Sequence, residues 1–414
     1  MKFGFYFQET SANVMMQTLE MRTLVEHPIA SLWYLHVNPP LFDLVRLLLI
    51  VPDRLLGNDI TELLSDRRLY LFHAILFGVV VALVYSTVRE LNGTRLEAVA
   101  VSILWSIYPG NVAMATYLDP TYLSMFLFLL SVNRGVCWLV SKKNKDAYLG
   151  LTALLLLSWT RSLFQIQILI PTIVIASWIY LKSEKSLANA VKFGITLCLL
   201  FLPVKQFLLF GSFSTSTFVG VQELGMIQYN PTQDELDKVA IPSRLIINSQ
   251  RVVSKYNSPE NAVANYQQET VFRKRIIASP IDSLQAIPNT IATSARKALS
   301  ATQDYQPNVA SNRLPWSDIS RWLFSGWRYV ALGIIGLAGQ LGRFGWRNKS
   351  LLFMLAAVAV VGSQILVGSV RFGTVDFNWT ESNRLKFIVE PIVFCIIAVG
   401  LTSSVRLLRG TLRR

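Results

Sequence analysis

Apolar residues fall along this chain in long blocks, each closed by a short polar or basic stretch. A run of about 20 apolar residues is long enough to cross a bilayer as one helix. By that rule the pattern predicts roughly nine spans, at about 69–88, 96–110, 121–141, 147–160, 163–182, 189–210, 326–342, 350–370 and 386–405. The blocks at 96–110 and 147–160 are the shortest and are expected to tilt or to be partly re-entrant. No repeat of fixed period runs through the chain.

Two regions break the pattern. Residues 1–68 hold no block of spanning length. Their short apolar run, 41–51, follows Pro39-Pro40 and stops at Pro52. Proline suits a first helical turn, and Asp43 and Arg46 are expected to share one polar face. The run therefore predicts an amphipathic helix lying at the membrane surface. Residues 211–325 are rich in Pro, Asn, Ser and Gln, with helical patterning at 236–250 and 279–299. A stretch of this length is too long to be structureless in a working domain, which predicts a small helical cap. The expected organisation is an outer segment over 1–68, a first membrane bundle over 69–210, the cap over 211–325, and further spans with a basic tail over 326–414.

Composition agrees with this picture. Hydrophobic residues make up 52% and charged residues 15% of the chain, and the mean hydropathy is +0.42. Soluble domains carry about 25% charge, so a soluble one-core enzyme, a disordered chain and a disulfide scaffold are all excluded. Cys137, Cys198 and Cys395 each sit in an apolar block and suggest neither a disulfide framework nor a metal cluster.

The net charge is 39 − 25 = +14, which fits either nucleic-acid binding or membrane topology. Its placement favours topology. Arg89 and Arg95, Lys142, Lys143 and Lys145, Lys182, Lys185 and Lys192, Arg343, Arg347 and Lys349, and the tail with Arg406, Arg409, Arg413 and Arg414 fall on one side. The positive-inside rule makes that side, and the C-terminus, cytoplasmic. Residues 1–68, 109–120, Arg161, 211–325 and 371–385 then lie outside. An odd number of spans places Met1 outside without a signal peptide, a pattern expected of a chain that starts late and lacks a first helix.

Polar residues gather at those outer connections. They are Glu9, His36 in His36-Val37-Asn38-Pro39-Pro40-Leu41-Phe42, Asp119 in Tyr117-Leu118-Asp119-Pro120, Arg161 in Trp159-Thr160-Arg161, and Glu381 and Arg384 in Glu381-Ser382-Asn383-Arg384. The segment from His36 to Phe42 resembles the His-x-x-Pro-Pro-Leu segment of GT-C class polytopic glycosyltransferases, the protein mannosyltransferase and aminoarabinose transferase relatives of glycosyltransferase family 39. Leu157-Ser158-Trp159-Thr160-Arg161 looks like that family's Thr-Arg at an outer helix end. Ala278-Ser279-Pro280 looks like its pre-helical Asn-Pro segment, with Ser in place of Asn. The stretch from Glu381 to Glu390-Pro391 is similar to its late Glu-x-x-Arg…Glu-Pro pattern. Two features depart from the family: its helix before the first outer loop is absent, and Glu9 stands where Asp is usual.

The resemblance implies an all-α polytopic integral membrane protein, a GT-C-like bundle with an extracytoplasmic helical cap. It implies transfer of a sugar from a polyprenyl-phosphate donor to a glycan, lipid or protein acceptor, with inversion, in a bacterial inner or plasma membrane. Glu9 would be the general base. Asp119 would position the acceptor or a metal, and a divalent cation is the one cofactor left open. His36, Arg161, Lys205, Glu381 and Arg384 would bind substrate, the cations holding the donor phosphate. Membrane lipids are the other partner, and no nucleic acid is expected.

Plainer roles stand beside each of these. Asp119 suits the N-cap of a helix starting at Pro120. His36 could only pack near Trp33 and Tyr34. Lys205, near the end of an apolar block, could snorkel to the interface, and Arg161 and Arg384 could anchor there. His73, within a block, reads as a bonded helix-packing residue. Arg273-Lys274-Arg275 reads as a solvated face, and Trp316, Trp322 and Trp327 as an interfacial belt. Two rival functions remain at this stage. A glycan polymerase or ligase would use Arg and His in its large outer loop, and 211–325 has no histidine. A transporter or flippase would place polar groups at mid-membrane. A catalytically inactive scaffold of the same fold is a third reading.

Overall fold

The computed structural model describes residues 18–161, 185–302, 315–345, 348–368 and 384–411. Every regular element among them is helical. In chain order these are α1 (Met21–Glu26), α2 (Pro28–Tyr34), α3 (Leu41–Leu55), α4 (Glu62–Glu90), α5 (Arg95–Ser106), α6 (Pro109–Thr116), α7 (Pro120–Ser141), α8 (Asn144–Ser158) and α9 (Lys185–Phe210). There follow α10 (Val219–Met226), α11 (Gln233–Asp237), α12 (Ser243–Ser249), α13 (Pro259–Ala278), α14 (Pro280–Ala298), α15 (Ser317–Leu323), α16 (Gly326–Phe344), α17 (Lys349–Gly368), a short 3-10 turn at Lys386–Ile388, and α18 (Glu390–Thr411).

Five of the described helices have a stretch long and apolar enough to cross a membrane: Glu62–Glu90, Pro120–Ser141, Lys192–Phe210, Lys349–Leu366 and Glu390–Leu408. The chain is a membrane protein, all-helical over the described residues. Three other expected spans do not pass that test as single helices. The block at 96–110 becomes α5 and α6, bent by 54° at the break before Pro109, where proline cannot continue the hydrogen-bond ladder. The block at 147–160 gives α8, whose 15 residues rise roughly 22 Å, short of a hydrocarbon core of about 30 Å. The block at 326–342 forms the 19-residue α16, whose Trp327, Arg328, Gln340 and Arg343 and five glycines dilute its apolar character. The block at 163–182 lies outside the described residues.

The main core lies between the long helices: Leu69, Leu76, Val80 and Val84 of α4 meet Phe128 and Val132 of α7 and Ile392, Cys395 and Val399 of α18. Two smaller cores sit apart from it. One joins Leu19, Met21 and Leu24 to Ile50 and Val252. The other joins Leu224, Ile227, Val239 and Val271 among α10, α11 and α13. Helix ends follow their sequences. Thr94 and Glu97 form a reciprocal capping box at α5, and Thr61 caps α4.

Helix α3 reverses the expected amphipathic arrangement. Asp43 and Arg46 point inward rather than toward water, each 1% exposed. Arg46 Nη1 donates to Asp43 Oδ1 at 2.8 Å and to the Leu19 carbonyl at 2.6 Å, while the Leu19 amide donates to Asp43 at 3.2 Å. Leu48, Val51 and Leu55 are the exposed face. The cause is docking: the carbonyl and amide of Leu19 need partners when that segment is buried, and the Asp43–Arg46 pair supplies both. At the other end of α3, Asp53 receives Arg68 at 2.6 and 2.7 Å, and that guanidinium holds the carboxyl below its ordinary range.

Candidate functional site

Three chain segments meet at Asp119. Helix α6 is buried over all eight residues and ends in a turn closed by the Asp119 amide on the Tyr117 carbonyl at 2.8 Å. Proline at position 120 starts α7 with its fixed φ, which leaves Asp119 at the N-cap. The cap bond is made: the Thr121 amide donates to Asp119 Oδ1 at 2.8 Å. A cap needs only one oxygen, and Oδ2 takes three further donors. They are Thr121 Oγ1 at 2.6 Å, Arg384 Nη1 at 2.8 Å and Arg161 Nη1 at 3.3 Å. Arg161 Nη1 also donates to Thr121 Oγ1 at 2.8 Å. All four side chains are buried.

The surroundings fix this cluster. Ser124 Oγ lies 2.9 Å from Thr160 Oγ1, so the start of α7 is joined to the end of α8 beside Arg161. Arg384 precedes the turn at Lys386–Ile388, whose Phe387 stacks on Tyr122 with centroids 5.9 Å apart. Farther along, Glu390 accepts from Tyr108 at 2.9 Å and from Thr302 at 2.9 Å, and Lys386 donates to the Ser300 carbonyl. Among the described residues, two guanidinium groups meet one carboxylate at Asp119. Guanidinium groups gathered in low dielectric are suited to bind an anion such as a phosphate.

A second cluster forms around His36, in the connection between α2 and α3. Its amide donates to Asn257 Oδ1 at 2.8 Å, its carbonyl accepts from the Thr217 amide at 2.7 Å, and its Nδ1 lies 2.9 Å from Thr217 Oγ1. Lys205 of α9 donates to the neighbouring Leu35 carbonyl at 2.7 Å. Lys205 is only 5% exposed, and among the described residues no carboxylate pairs with it. A buried lysine without a counter-charge is a common mark of a functional site. The two clusters share a wall: the Leu41 amide donates to the Trp159 carbonyl at 3.0 Å, and Trp159 stacks on Phe201, one turn before Lys205.

Burial, and then the nearby Lys205 ammonium, push His36 down from its ordinary 6.5 to about 3. The unfolded chain therefore binds a proton here that the folded chain refuses. The stabilisation is full above about pH 6.5 and is lost as pH falls toward about 3. Melting temperatures in detergent should drop between pH 6.5 and 5, and His36→Gln should make that slope shallower. An unchanged slope in the variant would contradict the burial of a neutral ring.

Of the seven expected site residues, the structure joins Asp119, Arg161 and Arg384 in one cluster and His36 and Lys205 in the other. Glu9 and Glu381 lie outside the described residues. Among the described residues, no group of three His, Cys, Asp or Glu side chains gathers to hold a metal. Thr121 was not anticipated, although a hydroxyl two positions after an N-cap Asp is well placed to bond it. No family model matches the chain, and no curated protein matches it.

Proposed function

We propose that this protein is a membrane glycosyltransferase of the GT-C class, transferring a sugar from a polyprenyl-phosphate donor to an acceptor at the extracytoplasmic face. In this reading the bundle is GT-C-like, 211–325 forms the outer cap and the C-terminus is cytoplasmic. The observation that carries the proposal is the buried Asp119–Arg161–Arg384 cluster, which gathers two guanidinium groups and a carboxylate where apolar helices end. A lipid phosphate is the anion that would reach such a place from the bilayer. Lys205 and His36, linked to the cluster through Trp159 and Phe201, would contact the same donor.

The chemistry is a single displacement. The acceptor O–H gives its proton to a carboxylate base, Glu9. Its oxygen bonds to the anomeric carbon, and the bond from that carbon to the phosphate oxygen breaks with its electron pair on the phosphate. Arg161, Arg384 and Lys205 stabilise the phosphate as its charge grows. Glu381 contributes to substrate binding, and a divalent cation would be supplementary.

The test is sugar transfer in proteoliposomes with labelled polyprenyl-phosphate sugars. Lys205→Met should raise the donor KM about 10- to 100-fold, the worth of one hydrogen bond to a charged group. It should leave the melting temperature unchanged or higher, because an apolar side chain replaces a buried ammonium. An unchanged KM would remove Lys205 from the site. No turnover with any donor, together with passage of labelled lipid across the bilayer, would replace the enzyme reading with a transporter.

A further inference from the structure

We infer that His73 of α4 is a sugar-recognition residue, its Nε2 accepting a hydrogen bond from a donor-sugar hydroxyl beside the Asp119 cluster. The inference rests on the proposed glycosyltransferase reading.

His73 is 1% exposed. Its Nδ1 lies 3.2 Å from the Ala115 carbonyl of α6. A carbonyl can only accept, so Nδ1 carries the proton and, in a neutral ring, Nε2 presents a lone pair. Among the described residues that buried Nε2 has no hydrogen-bond partner. The nearest ring hydroxyl does not serve it: the His73 ring packs on Tyr122 with centroids 5.6 Å apart, yet Tyr122 Oη donates to Asn111 Oδ1 at 3.2 Å. Asn111 is committed in turn, donating to the Trp105 carbonyl at 3.0 Å.

An acceptor without a partner in such a place costs free energy unless a ligand or a water supplies the donor. Its position favours a ligand. His73 abuts both helices that flank Asp119, through Ala115 of α6 and Tyr122 of α7. The cations of the cluster suit the phosphate. A neutral acceptor against the two helices that flank the cluster suits a group that donates, and sugar hydroxyls are the donors on the same molecule. The tautomer is held by the protein backbone, so the acceptor exists before the ligand arrives.

The chain has only three histidines, which makes the ring nitrogens observable. The protein is labelled with ¹⁵N-histidine and reconstituted in nanodiscs, and the signals are assigned with His27→Gln and His36→Gln. Mannosyl-phosphoryl and glucosyl-phosphoryl polyprenol are then added, with bare polyprenyl phosphate as the control lacking sugar hydroxyls. The expected result is an unprotonated His73 Nε2 that shifts with a sugar-bearing lipid and not with the control. A shift of equal size with the control would assign the contact to phosphate and overturn the inference. No shift with a sugar-bearing lipid that the wild type turns over would overturn it while leaving the enzyme reading intact. Absence of both turnover and binding would remove the enzyme reading and the inference together.

His73→Asn supplies the kinetic arm. Asparagine can still donate to the Ala115 carbonyl, so the melting temperature should stay near wild type. The donor KM should rise about tenfold or more with kcat unchanged, because the bond is made in ground state and transition state alike. Unchanged KM with a folded variant would overturn the inference.

Discussion

Asp119→Ala is expected to cost about 3–5 kcal/mol of stability and to abolish sugar transfer. The loss has two parts. The N-cap of α7 contributes about 1 kcal/mol through the Thr121 amide. The larger part is the lost ion pairing: Arg161 and Arg384 each give up the buried carboxylate they share. Asp119→Asn separates the two parts, since an amide oxygen keeps the cap and surrenders the charge. The melting temperatures in detergent should rank wild type first, then Asn, then Ala. Equal melting of Ala and wild type would mean that the cluster does not hold the ends of α7, α8 and the 384–388 segment together.

The second large effect lies far from the site, where α16 crosses α18. Gly336 and Gly339 of α16 meet Gly400 of α18 backbone to backbone, and a Cβ at 400 would overlap the Gly336 carbonyl. Ordinary overpacking costs about 1–3 kcal/mol because side chains can move aside. Here the obstacle is main chain, so the helices themselves must separate. Gly400→Leu is expected to exceed that range and to remove the monodisperse species on size-exclusion chromatography. Gly342→Ala is the control. Its Cβ would meet only the flexible end of Leu407, at 3.2 Å, and its effect should stay within about 0.5 kcal/mol. A monodisperse Gly400→Leu protein with a wild-type melt would refute the close crossing.

The long helices were legible because bilayer thickness sets a length that hydropathy reveals directly. The blocks at 69–88, 121–141, 189–210, 350–370 and 386–405 all lie on such helices. Asp119 was legible as a cap, and it caps α7 while also pairing with two arginines. Helical patterning at 279–299 corresponds to α14, and that at 236–250 resolves into α12 and part of α11. The facing of α3 was not legible. Helical periodicity shows that Asp43 and Arg46 share a side, but not whether that side meets water or protein, and in a membrane protein the apolar side can be the outer one. The three were expected in one site, but the direct pairing of Arg161 and Arg384 with Asp119, across 42 and 265 residues, was not legible. His73 read as packing because a lone histidine in an apolar block gives no hint of which nitrogen the fold will satisfy.

The inward pair on α3 also constrains how this protein can change over generations. Leu48, Leu55 and Leu56 face outward, and each can drift alone among apolar residues. Asp43 and Arg46 cannot, because losing either leaves the other charged and enclosed. Any lineage that abandons the pair must replace both at nearly the same time, along with whatever satisfies the backbone of Leu19. The two residues are expected to be kept or lost as one character, and the three leucines as three.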